Sequence, residues 1–440
     1  ALINDQMDGG YVRTLAIARI DCMNAVRIGN DALHLESPVL FLMILRNCIH
    51  TPDRVIYGIR HVTLCEPKTR SVRMNFNFDR QPDRRDVPGE KWGRYAGRDI
   101  LPLWVADMDF TAPPPVLAAL QARLDHGIFG YTDPWPSLIE AVITGIARDH
   151  NWLIEPDWLV WLPGVVSGFN LACRAVGEAG DGVFTATPVY PPFLFAPENS
   201  DRRLQTCALT FDGQRWLWDR DATAAAMDAR TRLFMLCNPH NPVGRAFDRD
   251  ELRWIADLAE QRDLIICSDE IHCGLVLDDD HPHIPIAALD EAVARRMITL
   301  MAPSKTWNIP ALYCAFAIIP DAGLRARFKR AMRGIVPQVN VLGLTATEAA
   351  YREGGPWRTA LLAYLRENRQ RVLEAVSAMP GLQTCSPEAT YLAWIDCRAA
   401  GLDDPAGFFE VAGVGLSDGK AFGIPGFVRL NFGCPSTTLD

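Results

Sequence analysis

The sequence predicts an α/β protein with a large three-layer α/β/α domain, built on a mostly parallel sheet, and a smaller α+β domain. Two observations predict this class. Short apolar segments without polar alternation recur between residues 159 and 319, which is typical of strands buried on both faces. Helical segments separate most of these strands, as expected where crossovers join parallel strands.

The large domain is predicted to span residues 115–350 and to open with two helices, Pro115–His126 and Trp135–His150. Another helix should begin near Ser167, and a further one after Asp248, which forms a capping-box pattern with Glu251. The strands predicted in this domain are Leu159–Leu162, Gly182–Thr187, Arg232–Cys237, Leu264–Ser268, Met297–Met301 and Cys314–Ile319.

The two ends of the chain are organised differently. Residues 351–440 are predicted to form the smaller domain, with a helix over Trp357–Ser377 and strands at Thr390–Asp396 and Phe427–Phe432. Residues 1–73 hold no helical or strand period for long, so we expect a disordered or non-native leader, with Met74 as an internal start. A partner-binding arm is the alternative. Residues 74–114 should form an N-terminal arm joining the small domain.

Composition narrows the classes of partner. The formal net charge of −9 disfavours nucleic acid, whose phosphates require concentrated Lys and Arg. The longest apolar run near the start, Val39–Leu45, is far shorter than the about 20 residues of a membrane-spanning helix. None of the 12 cysteines forms a C-x-x-C pair, so we expect free thiols and a cytoplasmic location.

Polar residues cluster where the predicted strands end. An Asn/His-rich segment follows Cys237, Asp269 follows the next strand, and Lys305 follows Met301. In open α/β sheets, ligands bind beyond the carboxyl ends of the strands. We therefore expect these side chains to share one site. Taken singly, each has a plainer reading as a surface lysine, a capping aspartate or a turn asparagine.

Nine segments together resemble the fold-type I pyridoxal 5'-phosphate (PLP) enzymes of the class I/II aminotransferase superfamily, and within them the cystathionine β-lyase / cysteine-S-conjugate β-lyase branch. The resemblance covers residues 75–440 and implies the aspartate aminotransferase-like fold. In chain order the segments are LPLWVADMDF (101–110), HGIFGYT (126–132), LPGVVSGFN (162–170), TPVYPPF (187–193), NPHNPVGR (238–245), SDEIHC (268–273), SKTWNI (304–309), TEAAY (347–351) and VRLNFGCP (428–435).

The resemblance implies roles for three residues at the sheet edge. Lys305 should carry PLP covalently on its amine and then remove the substrate Cα proton, which requires a lowered pKa. Asp269 should pair with the protonated pyridine nitrogen, so that the ring can accept electrons. Asn241 should hydrogen-bond the phenolic oxygen of the cofactor.

Further residues are expected to hold the rest of the cofactor. Tyr190 should stack on the pyridine ring. The backbone N–H groups of Val165 and Val166 should bind the phosphate at a helix N-terminus, helped by the Ser304 hydroxyl. Tyr131 resembles the tyrosine that reaches the phosphate of a neighbouring subunit, which implies a homodimer with shared active sites.

The remaining carried-over residues concern the substrate and the histidines. Arg429 resembles the arginine that clamps the α-carboxylate of an amino-acid substrate. His272 should touch the cofactor. A metal site of His272, His281 and His283 is disfavoured, because the cofactor accounts for His272 and the other two lie in a polar DDDHPH loop that reads as solvated.

Three departures from the family pattern bear on function. Ala302 stands where many relatives carry a phosphate-binding serine. Tyr313 replaces an arginine common in aminotransferases, which favours a lyase. The sequence stops at CPSTTLD, where relatives continue into a final helix, so we expect a truncated small domain.

The predicted function is a PLP-dependent carbon–sulfur β-lyase that cleaves cystathionine or L-cysteine S-conjugates to a thiol, pyruvate and ammonia. An aminotransferase is the first alternative, because it begins with the same proton abstraction. A PLP-fold regulatory protein without turnover is the second, although Lys305, Asp269, Asn241 and Arg429 are all present. The sequence does not specify the distal half of the substrate.

Overall fold

A computed structural model of the chain describes residues 76–80 and 82–440, so the predicted leader and the Val39–Leu45 run lie outside the described residues. The strands are β1 (Leu101–Pro102), β2 (Leu159–Leu162), β3 (Gly182–Thr187), β4 (Arg203–Ala208), β5 (Thr210–Phe211), β6 (Trp216–Leu217), β7 (Thr231–Cys237), β8 (Ile265–Asp269), β9 (Met297–Met301), β10 (Ala315–Ile318), β11 (Gln383–Thr384), β12 (Leu392–Asp396), β13 (Val414–Gly415), β14 (Ser417–Asp418) and β15 (Phe427–Asn431).

The described residues also form thirteen α-helices. They are α1 (Glu90–Gly93), α2 (Pro114–His126), α3 (Pro136–His150), α4 (Val165–Ala175), α5 (Pro192–Phe195), α6 (Arg220–Ala225), α7 (Arg249–Gln261), α8 (Glu291–Ala294), α9 (Ala322–Met332), α10 (Val341–Glu353), α11 (Gly355–Ser377), α12 (Pro405–Val411) and α13 (Ser436–Leu439). The capping box predicted at Asp248 is present, and both of its hydrogen bonds form.

The large sheet has seven strands in the order β2-β10-β9-β8-β7-β3-β4. Its strands are parallel except β10, which runs antiparallel to both neighbours. The predicted mostly parallel sheet is therefore confirmed. Sequence analysis missed β4, because this edge strand alternates exposed and half-buried residues and lacks the apolar run of the inner strands.

Strand β7 shows why the inner strands read as continuous apolar runs. Leu233 and Met235 pack into the core on one face of the sheet, with Phe169 of α4 and Phe328 of α9. Phe234 and Leu236 pack on the other face, in the cluster that includes Ile255 of α7. Because successive side chains point to opposite faces, a strand covered on both sides needs apolar residues at every position. The result is the three-layer domain.

The second sheet is small and antiparallel, in the order β11-β12-β15-β14. The N-terminal arm contributes β1, which pairs in parallel with β13. Asn431 of β15 also donates hydrogen bonds to the carbonyls of Val105 and Asp107 in the arm. None of the described helices is both long enough and apolar enough to cross a membrane.

Candidate active site

A cavity of about 1560 Å³ opens at the carboxyl ends of β7, β8 and β9, bounded by the arm, by α12 and by residues that follow α12. This is the edge at which open α/β sheets bind ligands. Nine of the ten predicted site residues line it, namely Val165, Val166, Tyr190, Asn241, Asp269, His272, Ser304, Lys305 and Arg429.

The tenth, Tyr131, lies elsewhere. Its side chain is fully exposed and is not among the residues that line the cavity. The neighbouring Ile128 and Phe129 are exposed as well. Since the predicted contact of Tyr131 is with a second subunit, one chain does not test it, and the contact stays a prediction.

Lys305 follows β9 and points its amine into the cavity. Its Nζ donates a hydrogen bond of 2.6 Å to the carbonyl of Ala106 in the N-terminal arm. Burial, with a smaller contribution from the positive charge of Arg429, lowers the pKa of Lys305 to about 8. A large fraction of this amine is therefore neutral at mildly alkaline pH, as a nucleophile and a base both require.

Asp269 is the last residue of β8 and is buried. Its Oδ1 accepts a hydrogen bond of 3.1 Å from the N–H of Ile271, while Oδ2 has no donor among the described residues. Burial raises the pKa of Asp269 to about 7, and the nearby Glu270 adds to this. A buried carboxyl in need of a cationic partner fits the nitrogen of a protonated pyridine ring.

Arg429 on β15 is a buried guanidinium held by neutral acceptors. Its Nη1 donates to Asn241 Oδ1 at 3.0 Å, and its Nη2 donates to the Trp104 carbonyl at 2.8 Å. Its Nε is buried without a partner, and burial lowers its pKa to about 10. A buried cation without an acid is costly, so the site is suited to a carboxylate ligand. The Asn241 amide nitrogen is left to donate elsewhere.

The loop predicted to bind phosphate leads directly into a helix. Helix α4 begins at Val165 rather than near Ser167, because Gly164 already takes the N-cap position in extended backbone. The N–H groups of Val165 and Val166 therefore belong to the first turn, where they lack intrahelical acceptors, and both residues line the cavity. The Ser304 hydroxyl, also at the cavity, makes no hydrogen bond with any described residue. These donors fit a phosphate.

Two rings complete the cavity wall. Tyr190 is partly buried, and burial raises its pKa. His272 is buried with Nδ1 unpartnered, and its ring lies edge-on to Tyr391 with centroids 6.2 Å apart. Burial lowers the pKa of His272 to about 3, so the ring is neutral near pH 7. Both residues line the cavity, and their contact with the cofactor stays a prediction.

The expectation that His283 lies in a solvated loop is wrong. Its side chain is buried, and Nε2 lies 2.9 Å from Glu270 Oε2. Glu270 also accepts a hydrogen bond from the Ser268 hydroxyl at 2.8 Å. The polar residues around His283 predict an exposed side chain. The ring is buried instead, in contact with Glu270, the residue that follows Asp269 in the chain.

Sequence analysis missed the residues that fix the arm against the cavity. Lys91 is buried and pairs with Asp109 at 2.7 Å, and Arg84 pairs with the same carboxylate at 2.6 Å. These ion pairs hold the arm next to Ala106. The Ala106 carbonyl accepts hydrogen bonds from both the Lys305 amine and the Tyr391 hydroxyl. The conspicuous string WVADMDF was the available signal, although it did not indicate this role.

The raised pKa of Asp269 predicts how pH affects the stability of the cofactor-free protein. Between its ordinary pKa of 3.8 and its folded value of about 7, the carboxyl binds a proton in the folded state but not in the unfolded state. Folding stability should therefore fall as pH rises through this window, by up to about 1.4 kcal/mol per pH unit. Asp269→Asn removes this loss, so the variant should exceed wild type in urea midpoint by more at pH 8 than at pH 4.5.

The matched control for this prediction is Asp257→Asn. Asp257 lies on α7 and is exposed, so this variant removes a carboxylate that burial does not affect. It should follow the wild-type pH dependence. If the stability difference between Asp269→Asn and wild type were the same at both pH values, the raised pKa would be contradicted.

Comparison with known proteins places these observations among relatives. The family model for aminotransferase class I and II matches residues 98–440. Cystathionine beta-lyase PatB of Bacillus subtilis (strain 168) is 38% identical over 376 residues, covering 83% of this chain and 97% of PatB. The crystal structure of OvoB superposes with a TM-score of 0.81 at 48% identity, covering 83% and 96%. Cystalysin from Treponema denticola, which contains pyridoxal 5'-phosphate, gives 0.80 at 32%, covering 83% and 96%.

Proposed function

The chain belongs to the class I and II aminotransferase family, and on this premise we propose that it is a PLP-dependent carbon–sulfur β-lyase. The family, fold and cofactor predicted from sequence are confirmed. The substrate class is cystathionine or another L-cysteine S-conjugate, which is cleaved with one water to a thiol, pyruvate and ammonia.

The observation that carries the proposal is the presence of Lys305 and Arg429 in one cavity. The buried guanidinium of Arg429, with its unpartnered Nε, suits the α-carboxylate of an amino acid. The amine of Lys305 has a pKa lowered to about 8, mainly by burial, which suits proton removal from Cα. Together these groups fit an L-amino acid rather than a simple amine or a simple acid.

Each residue then has a defined task. When bound, PLP supplies a ring that accepts the electrons left on Cα. Neutral Lys305 takes the Cα proton on Nζ, and Arg429 fixes the carboxylate so that this proton faces the amine. The electron pair left on Cα then forms a second bond between Cα and Cβ as the bond between Cβ and sulfur breaks, and the sulfur leaves as a thiolate. Asp269 is the buried acid that would pair with a cationic ring nitrogen.

Two observations favour the lyase over an aminotransferase. A relative that covers most of the chain, PatB, is named as a cystathionine β-lyase. Tyr313 is exposed and lines the cavity, at the position where the family resemblance leads us to expect an arginine in aminotransferases. A tyrosine in place of that arginine agrees with the lyase branch.

The test is incubation of the purified full chain with PLP and L-cystathionine in the absence of any 2-oxo acid. We expect equal amounts of pyruvate and thiol, measured by reduction of pyruvate with lactate dehydrogenase and by thiol titration. Strict dependence of turnover on an added 2-oxo acid, with no free thiol, would instead identify an aminotransferase.

We also propose a homodimer in which Tyr131 reaches the partner's cavity, and a cytoplasmic location. The exposed apolar side chains of Ile128, Phe129 and Tyr131 support the first. The nine described cysteines, all free thiols, support the second. Light scattering should give twice the chain mass, and a monomeric mass would contradict the shared active site. Recovery of the protein from an oxidising compartment would contradict the cytoplasmic location.

A further inference from the structure

The cavity continues past Lys305 and Arg429 to a mouth that carries two charged side chains from one helical turn. Glu90 and Arg94, at the start and just past the end of α1, both line the cavity. Their spacing of four residues places them on the same face. The turn is fixed from behind, because the intervening Lys91 is buried and pairs with Asp109.

Other acids around this mouth already have partners. Asp107 pairs with Arg84 at 3.0 Å, and Glu410 pairs with Arg98 at 2.8 Å. Asp404 and Asp418 cap short helical segments by accepting backbone N–H groups. The Glu90 carboxylate, by contrast, has no ion pair and no hydrogen bond within residues 76–80 and 82–440.

Arg94 is likewise available to a ligand. Its guanidinium lies over the Trp104 ring, 4.6 Å from the centroid, and it pairs with no acid in the described part of the chain. The Trp104 indole is fixed by a hydrogen bond of 3.1 Å to the Lys91 carbonyl. The Trp104 ring therefore supports the Arg94 guanidinium, which lies one helical turn from Glu90 but forms no salt bridge with it.

Trp104 also connects the mouth to the reacting centre. Its carbonyl accepts a hydrogen bond from Arg429, while its ring carries Arg94. Glu90 lies within electrostatic range of Lys305, where its charge opposes the larger, burial-driven lowering of the pKa. An amino acid held at Arg429 and Lys305 would thus extend its sulfur substituent along the wall formed by these residues.

We propose that Glu90, Arg94 and Trp104 form a distal subsite that selects a zwitterionic sulfur substituent, with its cationic group at Glu90 and its carboxylate at Arg94. The leaving thiol is then itself an amino acid rather than a plain alkyl or aryl thiol. This inference rests on the proposed lyase function, and it adds what that function leaves open, namely the chemistry of the leaving group.

The test compares kcat/KM for pyruvate release from three conjugates that share the cysteine half. L-Cystathionine carries a distal amine and carboxylate, S-(3-carboxypropyl)-L-cysteine carries only the carboxylate, and S-methyl-L-cysteine carries neither. Glu90→Gln should lower the ratio of cystathionine to S-methyl-L-cysteine by about tenfold or more, the value of a charge-assisted hydrogen bond. Arg94→Gln should lower the ratio for both substrates that carry the distal carboxylate.

Charge reversal separates selection from a structural effect. Glu90→Lys should raise the ratio of S-(3-carboxypropyl)-L-cysteine to S-methyl-L-cysteine, which damage to the fold would not do. Glu291→Gln is the matched control, since this glutamate is exposed on α8 and should leave all ratios unchanged.

The failures are distinguishable. If wild type releases pyruvate from the conjugates but Glu90→Gln keeps the wild-type ratio, the distal subsite is overturned while the lyase function stands. If wild type releases pyruvate from none of the three, the proposed function itself fails, and the subsite with it.

Discussion

Lys305→Ala is expected to reduce pyruvate release from L-cystathionine by at least about 1000-fold, because it removes both the attachment point of the cofactor and the base for the Cα proton. Two other basic side chains of the described residues cannot take its place. Lys91 is paired with Asp109, and burial lowers the pKa of His272 to about 3, so its neutral ring is too weak a base to replace the lysine and has no amine to which the cofactor could attach. Steady-state and single-turnover rates should fall together.

A second readout separates this loss from misfolding. The visible absorption of the lysine-attached cofactor should disappear in Lys305→Ala, while the circular dichroism spectrum of the protein is retained. Lys329→Ala, which changes an exposed lysine on α9, should keep both the absorption and the rate. Full turnover in Lys305→Ala would contradict the assignment of Lys305 as the cofactor attachment point and the base. A regulatory activity that survived the substitution unaltered would show that the chain also acts through protein contacts.

The residues at the sheet edge could be predicted because the constraint on them is simple. Parallel strands that begin on the same side must end on the same side, so Asn241, Asp269 and Lys305 meet whatever path the connections take. The family resemblance supplied Arg429 and the phosphate loop. The start of the helix at Val165 differed by two residues, which is the usual uncertainty of a helix boundary.

The features that the sequence did not predict depend on tertiary contacts, which leave no periodic pattern of apolar residues. His283 stands among aspartates, and its burial follows from a glutamate 13 residues earlier in the chain. Strand β4 lies at the edge of the sheet, where only part of one face is covered. In each case the local pattern is uninformative because the deciding neighbour comes from elsewhere.

The arm is the largest such case, and it carries the second prediction. Asp109→Ala is expected to lower the free energy of unfolding by about 3–5 kcal/mol, because it leaves the fully buried ammonium of Lys91 without its carboxylate. Arg84 and the Trp92 indole would lose the same acceptor. The urea midpoint, followed by tryptophan fluorescence, measures this loss.

The matched control is Asp86→Ala, which removes an exposed carboxylate of the same arm and should change the midpoint little. The double variant with Lys91→Met and Asp109→Ala gives the sharper test. If the penalty arises from a stranded charge, removing that charge as well should make the double variant more stable than Asp109→Ala alone. A double variant less stable than either single one would show that packing, rather than charge, explains the loss.

The same substitution should reach the chemistry through the backbone. Lys91 also donates a hydrogen bond of 3.0 Å to the Asp107 carbonyl, next to the Ala106 carbonyl that receives Lys305. Once the buried pair is broken, the Ala106 carbonyl loses part of its support, so Asp109→Ala should lower kcat at temperatures where the protein remains folded. The double variant should regain stability without regaining kcat, because Met at position 91 cannot make this hydrogen bond. Equal recovery of both quantities would mean that the arm supports the fold but does not position Lys305.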